Sequence, residues 1–208
     1  MSTPSSRGFF LDIKHHGYSE AFARRFGRVD IGGSAYSLSE LSRLDHSTCS
    51  DLVRTCARTS NGRGACWIFD AVHRQTGDIN RAWRVIWDGL RDNDDDLRVG
   101  PILVHCLRSI ENPTEIMPAA ATDVRCLYLL GYICKEEAEE HNRTDREWFD
   151  CYRQAALDFL EAARNLPTPP DSATDYSGAV GPALEAAMYL QFVSPSRSSS
   201  SYSSVGGG

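Results

Sequence analysis

The sequence predicts an α+β chain that is mostly helical, with a small N-terminal sheet followed by a helical extension. Gly32 and Gly33 separate two short apolar runs, which is typical of a two-residue hairpin turn. After the hairpin, apolar residues recur every three or four positions, as on the buried face of an amphipathic helix. A continuous apolar run from Cys66 to Phe69 predicts a buried strand, which would extend the hairpin to a three-stranded sheet.

The hairpin is preceded by an N-terminal segment, residues 1–26. Residues 1–7 are polar, and Phe9 to Ile13 fits a short strand. Tyr18 to Phe26 predicts one short helix, with Gly27 as its C-terminal stop.

A two-residue turn fixes the register of the hairpin. Ile31 then faces Ser34, and Val29 faces Tyr36. Because these pairs lie on one face, we expect Val29, Ile31 and Tyr36 to be buried together.

Residues 27–118 are expected to form the first domain. Ser37 and Glu40 make a capping-box pattern, so a helix should follow the hairpin at once. Further helices are predicted over Ser47–Arg58, from the cap Asp78 to Leu90, and over Pro101–Ile110, before a linker at Asn112–Pro118. Trp83 should be a core anchor, because it lies in the middle of a stripe at period 3.6 that consists of Ile79, Trp83, Ile86, Trp87 and Leu90.

Residues 119–193 read as a helical extension. We expect helices over Thr122–His141, after a capping box at Thr144 and Glu147, and over Pro182–Phe192. The middle helix carries a seam suited to one partner helix: Trp148, Tyr152, Ala155, Phe159, Ala162 and Leu166. Residues 194–208, rich in Ser and Gly, are expected to be disordered.

Several pieces of the first domain occur in a familiar order. Val29–Tyr36 reads V-D-I-G-G-S-A-Y, Ile68-Phe69-Asp70 follows, and the Trp83–Arg91 stripe precedes Pro101. Over about residues 27–110 the chain therefore resembles the BTB/POZ fold of the potassium-channel tetramerisation type. The resemblance implies self-association, often with recruitment of a partner such as a cullin-type ubiquitin ligase, and it brings no catalytic residues.

No catalytic, cofactor-binding or metal-ligating residues are predicted, and no cofactor is expected. The thiol and imidazole candidates for a metal lack the paired-cysteine spacing of structural zinc sites; they are His46, Cys49, Cys56 and Cys66. No nucleophile elbow, Walker loop or H-E-x-x-H motif occurs, so we expect no enzyme. A Cys–His pair that meets only in space is left open.

The acidic run Asp92–Asp96 begins like a calcium loop. Such a loop needs Gly at its sixth position and Glu at its twelfth, where this chain has Leu97 and Leu103. We therefore expect Asp94 or Asp95 to cap a helix instead.

Composition limits the function classes. The 208 residues carry a net charge of -6, which argues against nucleic acid as a partner. No apolar run approaches the roughly 18 residues of a membrane span, and the N-terminus does not read as a secretory signal. Seven cysteines without regular spacing then indicate reduced thiols in the cytoplasm or nucleus.

The first functional hypothesis is a non-enzymatic interaction and self-association module acting through residues 27–110. Three of the four tryptophans lie there, at Trp67, Trp83 and Trp87, so some apolar surface is expected to be left for a partner.

Two alternatives stay open. One is a structural subunit of a helical assembly, such as a viral coat or nucleocapsid protein. RNA binding would then require a groove lined by two arginine clusters, namely Arg24, Arg25 and Arg28, and Arg54, Arg58 and Arg63. The other is a helical-repeat scaffold, because Ala155, Phe159, Ala162 and Pro167 match the spacing of a tetratricopeptide helix.

Overall fold

The computed structural model describes residues 27–141, 145–167 and 176–190. The strand expected at Phe9–Ile13, the helix at Tyr18–Phe26 and the Ser/Gly tail lie outside these ranges. Within them, the chain forms β1 (Val29–Ile31), β2 (Ser34–Tyr36), α1 (Leu38–Leu41), α2 (His46–Arg58), α3 (Gly62–Thr76), α4 (Ile79–Leu90), α5 (Asp96–Leu107), a 3₁₀ helix (Pro113–Ile116), α6 (Met117–Ala120), α7 (Val124–His141), α8 (Arg146–Asn165) and α9 (Ser177–Tyr189).

The hairpin forms in the predicted register. Val29 pairs with Tyr36, and Ile31 pairs with Ser34. The turn glycines adopt positive φ angles of 62° and 85°, the region that residues with a Cβ rarely occupy. Val29 and Ile31 are buried and Tyr36 is half-buried, so the predicted face of the hairpin packs inward.

Side-chain caps fix the starts of several helices as predicted. Ser37 and Glu40 form the reciprocal capping box at α1. Asp78 caps α4 by accepting hydrogen bonds from two backbone N–H groups, and Asp95 caps α5.

The strand predicted at Cys66–Phe69 is wrong, because this run lies inside α3. All four residues are buried, since α3 contacts β1 and four other helices, namely α1, α2, α4 and α5. A helix covered on most sides needs a continuous apolar run, just as a buried strand does. The described residues therefore hold a sheet of two strands rather than three.

Several predicted boundaries also need correction. α5 begins at Asp96, so Pro101 lies inside the helix, and α9 begins at Ser177 with Pro182 inside it. The expected linker contains the 3₁₀ helix and α6. At α8 the N-cap is Asp145, whose carboxylate accepts from the Trp148 amide, whereas Thr144 of the expected capping box lies outside the described residues.

α7 and α8 form an antiparallel pair, but α8 also contacts α9 and the 3₁₀ helix, so the seam does not serve a single partner helix as predicted. Gly131 of α7 lies against Leu160, and a Cβ on Gly131 would lie 2.5 Å from the Leu160 Cγ. On the facing side, Tyr152, Ala155 and Phe159 are fully buried. The glycine therefore allows the two helices to approach closely.

One contiguous apolar core extends from Val29 to Leu190, across both predicted units. The 3₁₀ helix contacts both α4 and α8 and so joins them. Trp67, Trp83 and Trp87 all lie inside this core, so the expectation that part of their surface is left for a partner is wrong. Among the helices in the described ranges, none is both long and apolar enough to span a bilayer.

Candidate functional site

Two helices that run side by side, α5 and α7, enclose an open groove. Near their N-termini, Arg125 Nη2 lies 2.6 Å from Asp96 Oδ1. Near their C-termini, Arg108 Nη2 lies 2.6 Å from Glu137 Oε1. Because equivalent ends are joined by ion pairs, the helices are parallel and the groove follows both of them for about three turns.

The groove, which we call the α5–α7 groove, has a volume of about 640 Å³ and an apolar floor. Leu129 and Ile133 are nearly buried there. Leu97 is 88% exposed and Tyr132 is 43% exposed, so the walls present apolar side chains to solvent. Its lining residues follow one face of each helix and include Leu97, Pro101, Val104 and the C-cap Arg108 on the α5 side and Leu129, Tyr132, Ile133 and Glu136 on α7.

The N-terminal end of the groove is held by a polar network around Asp96. Arg125 donates hydrogen bonds to the Asp96 carboxylate and to the carbonyl oxygens of Arg91 and Asn93. The Tyr176 hydroxyl donates to the other Asp96 oxygen at 3.0 Å. The Tyr176 ring also lies 5.2 Å from that of Tyr128, so the residue before α9 is fixed against both helices.

The C-terminal end is held by a partly buried ion pair. The Arg108 guanidinium donates two hydrogen bonds to Glu137, whose side chain is almost fully buried. Next to it, Lys135 forms ion pairs with Glu136 and Glu139 at 2.8 Å. Burial lowers the pKa of the Lys135 ammonium, but these hydrogen bonds outweigh burial and raise its pKa above the ordinary value.

Acidic residues predominate at both ends of the groove. The loop and cap before α5 contain three aspartates, Asp96 begins the helix, and the end of α7 reads K-E-E-A-E-E. His105, which also lines the groove, has a lowered pKa because of burial and then because of Arg108, so it is neutral at pH 7. The groove therefore combines an apolar floor with acid-rich ends.

The structure does not bring the metal candidates from the sequence together. His46 Nε2 lies at the surface, 2.8 Å from Asp88 Oδ2, whereas Cys49 is buried beside the Leu41 carbonyl. Cys56 and Cys66 lie in the core with Cys106. Over the described ranges, no three His, Cys, Asp or Glu side chains converge as metal ligands would.

The buried thiols are poor nucleophiles at neutral pH. Burial raises the pKa of Cys49 to about 11 and that of Cys56 to about 12. A hydrogen bond with Cys106, followed by burial, raises the pKa of Cys66. At neutral pH these groups are protonated thiols, which are poor nucleophiles.

The arginine clusters do not combine into one basic groove in the described residues, and Arg24 and Arg25 lie outside them. Arg54 forms ion pairs with Asp51 and Asp92 on the surface of α2. Arg28 and Arg63 do line one polar cleft, of about 710 Å³, beside the hairpin turn. The Arg28 guanidinium is hydrogen-bonded there to Glu40 and to the Ala35 carbonyl.

Sequence reasoning missed the α5–α7 groove. The available signal was Leu97, an apolar residue in the first turn of a helix that follows an acidic loop. The pairing of α5 with α7 was not visible, because it depends on ion pairs between residues 29 positions apart in the chain.

Comparisons with known proteins give no relative for this chain. No protein-family model matches it, and no curated protein or solved structure matches it significantly.

Proposed function

We propose that this chain is a non-enzymatic protein–protein interaction module that associates with copies of itself through the α5–α7 groove. The observation that carries the proposal is the exposure of Leu97 and Tyr132 beside the nearly buried floor residues Leu129 and Ile133. Burial of such side chains against a second copy would gain roughly 25 cal/mol for each Å² of apolar surface removed from water.

The charges around the groove support the same proposal. An apolar centre with a polar rim is the usual arrangement of a specific protein interface. Here the rim charges are already positioned, because Arg125 holds Asp96 and Arg108 holds Glu137. A partner can therefore dock against a pre-organised surface, which reduces the entropy lost on binding.

The state of the titratable groups also favours a non-enzymatic role. The buried thiols with raised pKa values are poor nucleophiles, and the hydroxyl of Ser50 donates its hydrogen bond to the Val85 carbonyl. The exposed His46–Asp88 pair lies on the surfaces of α2 and α4 and lines neither the groove nor the polar cleft.

The proposal is tested by sedimentation velocity of the full chain over a concentration series up to tens of micromolar. We expect reversible association, weakened at least tenfold by Leu97→Asp or Tyr132→Asp. Met188→Asp is the matched control, since it places the same charge on an exposed apolar residue of α9 and should leave association unchanged. A chain that stays monomeric throughout the series would refute the proposal.

The finer functional hypotheses remain predictions. BTB/POZ membership, a cullin adaptor role, a helical-assembly subunit and a repeat scaffold each depend on sequence patterns alone. The absorbance ratio at 260 and 280 nm of the purified chain separates the nucleocapsid hypothesis from the others, because bound nucleic acid raises it.

A further inference from the structure

We infer that the α5–α7 groove of one copy receives residues 18–26 of a second copy, which we call the arm. This inference rests on the proposed self-association and adds which segment of the partner enters the groove. The arm lies outside the described residues, so its contribution is argued from its sequence, and that of the groove from its geometry.

The arm has the pattern of a short amphipathic helix. Tyr18, Phe22 and Phe26 recur at intervals of four, which places three aromatic rings on one helix face. Nine helical residues are about 13 Å long, and the groove spans about 16 Å along α5 from Leu97 to Arg108. The arm therefore fits the groove in length, with an apolar face for an apolar floor, as in other helix-in-groove complexes.

The charges of the arm and the groove are complementary. Arg25 borders the aromatic face of the arm, and Arg24 precedes it. The end of α7 carries four glutamates and one lysine over residues 135–140. A basic helix end beside this acidic stretch gains favourable Coulomb energy, whereas an acidic segment would be repelled.

The link between the arm and the hairpin is short. Only Gly27 and Arg28 separate Phe26 from β1, which limits the gap to about 11 Å. The Arg28 side chain is held by Glu40 and the Ala35 carbonyl, and the hairpin packs against α2 and α3. The arm therefore begins at the hairpin, and its placement on a second copy rests on the proposed self-association, which the mixing test below examines directly.

This contact is heterologous, because the arm and the groove are different surfaces. Each copy gives one arm and receives another, so the contacts either close into a ring or continue as an open filament. The ring would be compatible with a tetramerising module, and the filament with a subunit of a helical assembly.

The test mixes two full-length variants, each of which lacks one half of the contact. Phe22→Asp disables the arm, and Tyr132→Asp disables the groove. Each variant alone should lose association at least tenfold, whereas an equimolar mixture should form a one-to-one heterodimer and nothing larger, as measured by mass photometry or sedimentation.

Matched controls separate the contact from the effects of charge and folding. Ala23→Asp adds the same charge about 100° further round the arm helix, and Met188→Asp adds it on α9. Both should associate like the unmodified chain. Far-UV circular dichroism should show unchanged helix content in all four variants, because Tyr132 and Met188 are already exposed.

The contrary outcomes are distinguishable. Self-association that Phe22→Asp leaves unchanged would overturn the arm contact while the proposed function stands. The same holds for two variants that remain monomeric on mixing, because the arm and the groove would then not meet between copies. An unmodified chain that never associates would overturn both proposals.

Discussion

Replacing Trp83 by Ala tests whether the stripe on α4 anchors the core. The Trp83 side chain is fully buried. Its ring meets Phe69 edge-on, with centroids 6.5 Å apart and an interplanar angle of 78°. Truncation removes the transfer energy of a large aromatic group and leaves a cavity, which together cost about 3–5 kcal/mol. The edge-to-face pair accounts for about 1 kcal/mol of that range.

The loss of free energy of unfolding is measured by urea titration, followed by circular dichroism at 222 nm. Helical ellipticity is the preferred signal, because removal of Trp83 itself alters the fluorescence. Tyr132→Ala is the control, since it also removes an aromatic side chain but one that is 43% exposed. We expect the control to change the free energy by less than about 1 kcal/mol.

A loss below about 1 kcal/mol for Trp83→Ala would contradict the structure. It would mean that the indole is not enclosed by the core and that the α4 stripe is open to solvent or to a partner. The expectation of spare tryptophan surface for self-association would then be restored as an alternative to the α5–α7 groove.

Three further predictions concern packing and charge. Gly131→Ala should cost about 1–3 kcal/mol, because its Cβ would lie 2.5 Å from a side-chain carbon of α8, whereas Gly100→Ala in open space should not destabilise the fold in the same urea titration. Glu137→Ala should lower the free energy of unfolding by about 3 kcal/mol, because it breaks a buried ion pair with Arg108. Replacement of both residues by Met should restore most of that loss, as a thermal melting series would show. Burial raises the pKa of Asp70 to about 6, against about 3.9 in the unfolded chain, so the wild type loses stability as the pH rises from 4 to 6. Asp70→Asn should therefore be more stable than the wild type by about 1–3 kcal/mol at pH 7.5 and nearly equal to it at pH 4, which urea titrations at both pH values would check.

Local signals in the sequence were sufficient for the hairpin and for several helix starts. The Gly32–Gly33 turn fixes the register through backbone conformation, and Ser37 and Glu40 cap a helix through side chains only three residues apart. Asp95 likewise caps α5 from within the acidic loop. Such features depend on neighbours in sequence, and their physics is complete within a few residues.

Features that depend on distant packing were not predictable. The run from Cys66 to Phe69 carries no periodicity, so only the helices that surround α3 decide between helix and strand. The α5–α7 groove arises because Arg108 and Arg125 bridge helices that are separate in sequence. The cap of α8 is Asp145, which the capping-box pattern did not single out, because neighbouring polar residues cannot be ranked as caps by pattern alone.

The placement of exposed apolar side chains determines where self-association can occur. Trp67, Trp83 and Trp87 turn inward, so the first domain leaves little aromatic surface beside its hairpin. Leu97 and Tyr132 instead present their surface between α5 and α7, and α7 belongs to the second half of the chain. A surface shared by both halves requires that they fold together, as the continuous core indicates. Self-association through this groove should therefore be lost whenever the two halves are separated, whereas an interface confined to residues 27–110 would persist.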